Sequence, residues 1–119
     1  MNKLVMLILF FTLHSNVFAQ AVCMSSFMPI EKLYVRSGGW VLVQIEGLTN
    51  IDLKNCGSQS NIGVILNYND TTGSVEGKQM VYSALLTAFS AGKRVQICSD
   101  GCDSQHPSFS RLSYVDVEK

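Results

Sequence analysis

From Ile30 to Arg36 apolar and polar residues alternate, with Leu33 and Val35 two apart, and Ser37-Gly38-Gly39 ends the run. A period of two broken by glycines predicts a strand entering a tight turn. The same period resumes from Trp40 to Glu46, where Val41, Val43 and Ile45 make one face and Trp40, Leu42, Gln44 and Glu46 the other. Together the two runs predict a hairpin. Gly47 to Ser60 is rich in Asn, Ser and Gly without periodicity and predicts a loop, and the mostly apolar Ile62 to Tyr68 predicts a third strand.

Asn69-Asp70-Thr71-Thr72-Gly73 is turn chemistry. Ser74 then offers an oxygen to the free amides of a helix start, and Glu76 places negative charge in the first turn. Val81, Leu85 and Ala88 fall at i, i+4 and i+7, with Ala84 and Phe89 widening the stripe. Gly92, followed by Lys93 and Arg94, suits a helix end. These signals predict a helix of about four turns over 77–91. Arg94 to Cys98 alternates again, Asp100-Gly101 and His106-Pro107 mark a loop, and β-branched and aromatic residues return from Phe109 to Val117.

A lone helix between the third and fourth of five short strands cannot cover both faces of a parallel sheet, and hairpin turns imply antiparallel neighbours. The expected fold is therefore mainly β with one helix, a five-stranded antiparallel OB-fold-like barrel in the order β-β-β-α-β-β. In it Val41, Val43, Ile45, Leu85 and Val95 share one interior.

Residues 1–19 carry Lys3, an apolar run from Leu4 to Leu13, and Val17 and Ala19 at cleavage-site spacing. This is the three-part pattern of an export signal, with cleavage after Ala19 and a single domain over 20–119. Roughly ten apolar residues rising about 1.5 Å each cover half of a bilayer core, so no stable membrane insertion is expected. Of nine basic and nine acidic residues, removal of Lys3 leaves eight against nine, and such a balance gives no footprint for nucleic acid. The expected location is secreted or periplasmic.

All four cysteines, Cys23, Cys56, Cys98 and Cys102, lie in the mature part. Export permits oxidation, and four cysteines allow three pairings. Cys56 with Cys102, each beside a glycine in a predicted loop, is preferred, which leaves Cys23 to Cys98. Zinc is disfavoured because the cysteines are not clustered at ligand spacing and His106 is the only mature histidine. No metal or cofactor is expected.

A Ser-His-Asp constellation can be drawn from Ser108, His106 and Asp103, but no nucleophile-elbow or oxyanion-hole sequence accompanies it, so no catalytic residue is assigned. Asn69-Asp70-Thr71 has the form of a glycosylation acceptor and more simply serves the turn. Surface recognition remains: Tyr34, Arg36, Trp40 and Tyr68 offer aromatic faces and polar rims of the kind that sugars or peptides use. Trp40 and Leu42 on an outer strand face would equally favour self-association.

Ile30-Glu31-Lys32-Leu33-Tyr34-Val35, the segment Tyr82 to Gly92 with Lys93-Arg94-Val95-Gln96-Ile97, and Gly101-Cys102, His106-Pro107 and Leu112 to Val117 resemble the subtilase-cytotoxin B-subunit-like family. That family belongs to the pertussis-like AB5 toxin architecture. The resemblance covers nearly the whole mature chain. It implies a secreted OB-fold protein, a homopentameric ring, a cell-surface glycan or glycoprotein as ligand, sialylated in the toxins, and an exported enzymatic A subunit as partner. Counting back from Leu33, it also implies Ser26 as a sugar contact. The alternative expectation is a monomeric periplasmic interaction or inhibitor protein without glycan binding.

Overall fold

A computed structural model describes residues 20–48, 51–57 and 63–119. The expected export signal, part of the predicted Gly47–Ser60 loop and Ile62 lie outside the described residues. Among the described residues the fold is mainly β with one helix: β1 (Val22–Cys23), β2 (Met28–Arg36), β3 (Trp40–Ile45), β4 (Val64–Asn67), α1 (Val75–Ala91), β5 (Arg94–Cys102) and β6 (Ser110–Val117).

Six strands replace the expected five. The addition, β1, sets Val22 opposite Ser99 and Cys23 opposite Cys98, and two residues are too few to carry a period. Nor is the sheet wholly antiparallel. β2 pairs with β3 and β3 with β4 in antiparallel register, but β4 meets β6 in parallel at Ile65 and Arg111. After β4 the chain crosses over through α1, runs back along β5 and turns again, so β6 has the direction of β4. β6 pairs with β5 along its length, and β5 pairs with β2 at Met28 and Pro29. The pairings thus run from β2 through β3, β4, β6 and β5 back to β2.

Val41, Val43, Ile45, Val64, Leu66, Val95, Ile97 and Leu112 pack with Leu85 and Ala88 of α1 in one core. Alternation along β3 and β5 sends these side chains to a common side, and α1 covers it. Two expectations about which residues are buried change. Leu42 points to the other face of β3 yet is only 7 % exposed, because Tyr34 and Ile65 flank it across the strands and Gly63 lies against it. Phe89 of α1 stays 44 % exposed rather than joining the core; only Leu85, Ala88 and the unforeseen Lys78 are buried along the helix.

α1 begins two residues before the expected start. Ser74 caps it from an extended conformation and accepts the Gly77 amide at 3.0 Å, and Gly92 ends it at φ 65°. Disulfides join Cys23 to Cys98 and Cys56 to Cys102, which fits an oxidising compartment. Among the described residues no helix is long and apolar enough to cross a membrane.

Candidate functional site

Successive side chains of a strand alternate between its faces, so Lys32, Tyr34 and Arg36 form a row on one side of β2. Register places Arg36 opposite Trp40. The Lys32 Nζ lies 4.7 Å from the Tyr34 ring centroid, and the Arg36 guanidinium lies 5.7 Å from Tyr34 and 5.8 Å from Trp40. Cations at these distances are attracted by the ring faces, worth about 0.5–1 kcal/mol each at exposed sites. Among the described residues neither cation is in an ion pair. Within the described residues the positive charge of the strip is met by ring faces and by no carboxylate.

The loop between β5 and β6 completes this surface. His106 meets Trp40 with ring centroids 5.3 Å apart and planes tilted by 55°. Asp103 holds the loop. Its Oδ2 accepts the Gln105 amide at 3.1 Å, the His106 amide at 2.8 Å and Asn67 Nδ2 at 3.0 Å, and lies 3.2 Å from His106 Nδ1. A buried carboxylate that gathers the next two or three amides fixes a turn without secondary structure. The His106 ring is held by the same oxygen, with Nε2 left as its other polar atom.

Beneath the loop, Asp70 accepts the amides of Thr72 at 2.8 Å and Ser104 at 3.1 Å, and Arg111 reaches it at 3.3 Å. Burial pushes the Asp70 carboxyl up, but the Thr72 amide, the Asp103 side chain, the Ser104 amide and Arg111 outweigh it and hold it well below the usual carboxylate range. Arg111 also donates to Asp100 and to the Cys102 carbonyl, both at 2.9 Å. Burial lowers its affinity for its proton, while Asp100 and Asp70 more than restore it. Lys78 reaches in from α1 to the Asp70 carbonyl at 2.6 Å. A cavity of about 150 Å³ opens beside Lys78, Asp100 and Arg111. Within this network Asp103 Oδ1 is buried with no donor.

Of the residues singled out by sequence, Tyr34, Arg36 and Trp40 come together. Tyr68 joins them through its backbone, its amide donating to the Gly39 carbonyl at 2.9 Å. Burial and the neighbouring Tyr82 raise the Tyr68 phenol pKa. Ser26 stands apart. It is exposed before the Met28 end of β2, about 25 Å along the strand from Arg36. Asn69 serves the turn: its Nδ2 donates to the Gly38 carbonyl at 2.9 Å and so braces the hairpin tip.

His106 and Asp103, weighed in sequence only as members of a triad, are in contact, and their partners are Trp40 and Asn67. The one available signal was a lone histidine beside a proline in a loop; its meeting with a residue 66 positions earlier leaves no mark in local pattern. The chain matches no family model, no curated protein and no solved structure.

Proposed function

We propose that this chain is an exported, non-catalytic recognition module of OB-fold type that binds a cell-surface carbohydrate through Tyr34, Arg36, Trp40 and His106. The contact between Trp40 and His106 carries the reading. It joins the tip of the first long hairpin to the loop between the last two strands, and OB-folds bind oligosaccharides beside the loops at these positions. The circuit of pairings through β2, β3, β4, β6 and β5, with α1 between β4 and β5, supports that barrel with β1 as an added strand. Aromatic faces take the apolar side of a pyranose, and Lys32 and Arg36 suit an acidic substituent such as the carboxylate of the sialylated glycans that the toxin resemblance implies.

Glycan arrays test the reading. Wild type is expected to bind, and Trp40→Ala is expected to lose at least about 30-fold in affinity, the loss typical of a central aromatic contact. Absence of binding to any glycan would sink it. Ser26→Ala separates the two ends of β2: binding lost there but kept in Trp40→Ala would move the site to the segment that the resemblance implies.

A second reading, a monomeric periplasmic interaction or inhibitor protein, is favoured by the burial of Leu42, which removes one apolar residue from the surface that self-association would cover. Light scattering on the mature chain distinguishes them. A mass of about 11 kDa supports the monomer, and five times that supports a toxin-like ring able to carry an exported A subunit.

A further inference from the structure

Lys78 is the one buried lysine among the described residues, 8 % exposed, and the recognition strip makes no use of it. Its ammonium donates to the Asp70 carbonyl and, among the described residues, is in no ion pair. An ammonium has three donors and no acceptor. One neutral carbonyl therefore leaves two N–H groups unused and no carboxylate in contact with the charge, a costly arrangement for a buried cation.

Lys78 lines the cavity of about 150 Å³ between the start of α1 and strands β4, β5 and β6, a volume that takes a molecule of about six heavy atoms. Leu66, Val81 and Leu112 give it an apolar wall, as small-molecule sites have. Donors dominate the polar part. Ser74 Oγ accepts the Gly77 amide and keeps its own hydrogen to donate. Arg111 uses Nε and Nη1 on Asp100, Asp70 and the Cys102 carbonyl, and Nη2 enters none of these bonds. Asp100 is the one carboxylate in the lining: its Oδ1 takes Arg111 Nε, and Oδ2 is left to accept.

We propose that this cavity binds a small hydroxy acid, its carboxylate on Lys78 and Ser74 and its hydroxyl on Asp100. A carboxylate supplies the counter-charge that Lys78 lacks and accepts from several donors at once. Asp100 decides the rest of the chemistry. A dianion such as phosphate would set a second negative charge against it, whereas a hydroxyl offers it a hydrogen. None of Tyr34, Arg36, Trp40 and His106 lines the cavity, so the site is independent of the glycan reading.

Nuclear magnetic resonance of the full mature chain, titrated with lactate, is expected to show saturable amide shifts over residues 72–78. Acetate, which lacks the hydroxyl, and inorganic phosphate are expected to bind more weakly, and lactamide, which lacks the charge, not at all. Lys78→Met is expected to lose at least about 10-fold in lactate affinity and Ser74→Ala about 5-fold, in line with what single hydrogen bonds to and from charged groups contribute. Lactate is also expected to raise the melting temperature of wild type and to leave that of Lys78→Met unchanged. Shifts that never saturate or that follow the exposed lysines, or lactate affinity undiminished in Lys78→Met, overturn the site. Acetate or phosphate binding as tightly as lactate overturns the hydroxy acid as its ligand. Should Lys78→Met fail to fold, Ser74→Ala and the four probes still decide.

Discussion

Asp70 ties acid stability to the loop that carries His106. Its folded-state pKa is depressed, so the carboxylate contributes stability that is complete above its unfolded value of about 3.9 and is lost as pH falls through the lower folded value. Asp70→Asn removes that contribution and leaves Arg111 facing a neutral amide. At neutral pH it is expected to cost about 3 kcal/mol, the usual result of breaking a buried ion pair. The gap from wild type is expected to begin narrowing below about pH 4, where the unfolded carboxylate protonates, and to close only as pH falls through the much lower folded value. Thermal melts of both proteins across that range check the sign: a gap that widens in acid contradicts it. Gly63 makes a purely steric demand. A Cβ there would meet the Val43 carbonyl and come within 3.0 Å of Leu42 Cγ, and backbone cannot yield as a side chain can. Gly63→Ala is expected to lower stability by about 2 kcal/mol or more in urea titration. Neither residue announces this in sequence. Gly63 looks like one more loop glycine, and the partners of Asp70 lie 33, 34 and 41 positions away at Asp103, Ser104 and Arg111.

At the scale of elements, α1 and the long hairpin were legible because their order is local. Ser74 and Gly92 bracket the helix in sequence as they do in space, and Val41, Val43 and Ile45 fill one face in both. Ser74→Ala is expected to cost about 1 kcal/mol through the lost acceptor for the Gly77 amide, and Gly92→Ala about 1 kcal/mol through the left-handed backbone at φ 65°. Chemical denaturation measures both, and an unchanged midpoint for Ser74→Ala would show the cap to be replaceable by water. Where local chemistry and tertiary pairing conflict, the sequence misleads. Ser99-Asp100-Gly101 has the composition of a turn, so the fourth strand was expected to end at Cys98; β5 continues to Cys102. Register shifts around Ser99 accommodate those residues, Ser99 Oγ binds the Gly101 carbonyl, and Asp100 is used on Arg111. Lys78 illustrates the same limit on a helix: its charge suggests a solvated face, yet the residue is buried and its ammonium donates to the Asp70 carbonyl.

At the scale of the whole molecule, closure of the pairing circuit was the least legible feature, since β4 and β6 pair in register only at Ile65 and Arg111 and no period encodes a partner across 46 residues. Two covalent bonds also hold β5, which the circuit passes through. Cys56–Cys102 ties the loop before β4 to the end of β5, and Cys23–Cys98 ties β1 to β5, with sequence separations of 46 and 75. In the chain-entropy view each loop closure removes about 4 kcal/mol of freedom from the unfolded state, against a total stability of about 5–15 kcal/mol for a domain of this size. The two loops overlap, so the second bridge constrains a chain already tethered by the first and the contributions fall short of additive. Each double replacement, Cys56→Ser with Cys102→Ser or Cys23→Ser with Cys98→Ser, is therefore expected to leave a folded but weakened protein, whereas full reduction brings the chain to the edge of unfolding. Folded-state contacts at Cys56 soften the first loss. Asp52 accepts the Cys56 amide at 2.8 Å, the Gly57 amide at 3.0 Å and the Ser110 hydroxyl at 3.0 Å, and burial, which alone would raise its pKa, is outweighed by those three donors. Ionised Asp52 is therefore expected to hold that loop's shape when the sulfur bridge is removed. Melting the Cys56→Ser/Cys102→Ser protein with and without Asp52→Asn tests the division of labour: a larger loss from Asp52→Asn in the serine variant than in wild type is expected. Equal losses would mean that the disulfide and the carboxylate act on different parts of the fold.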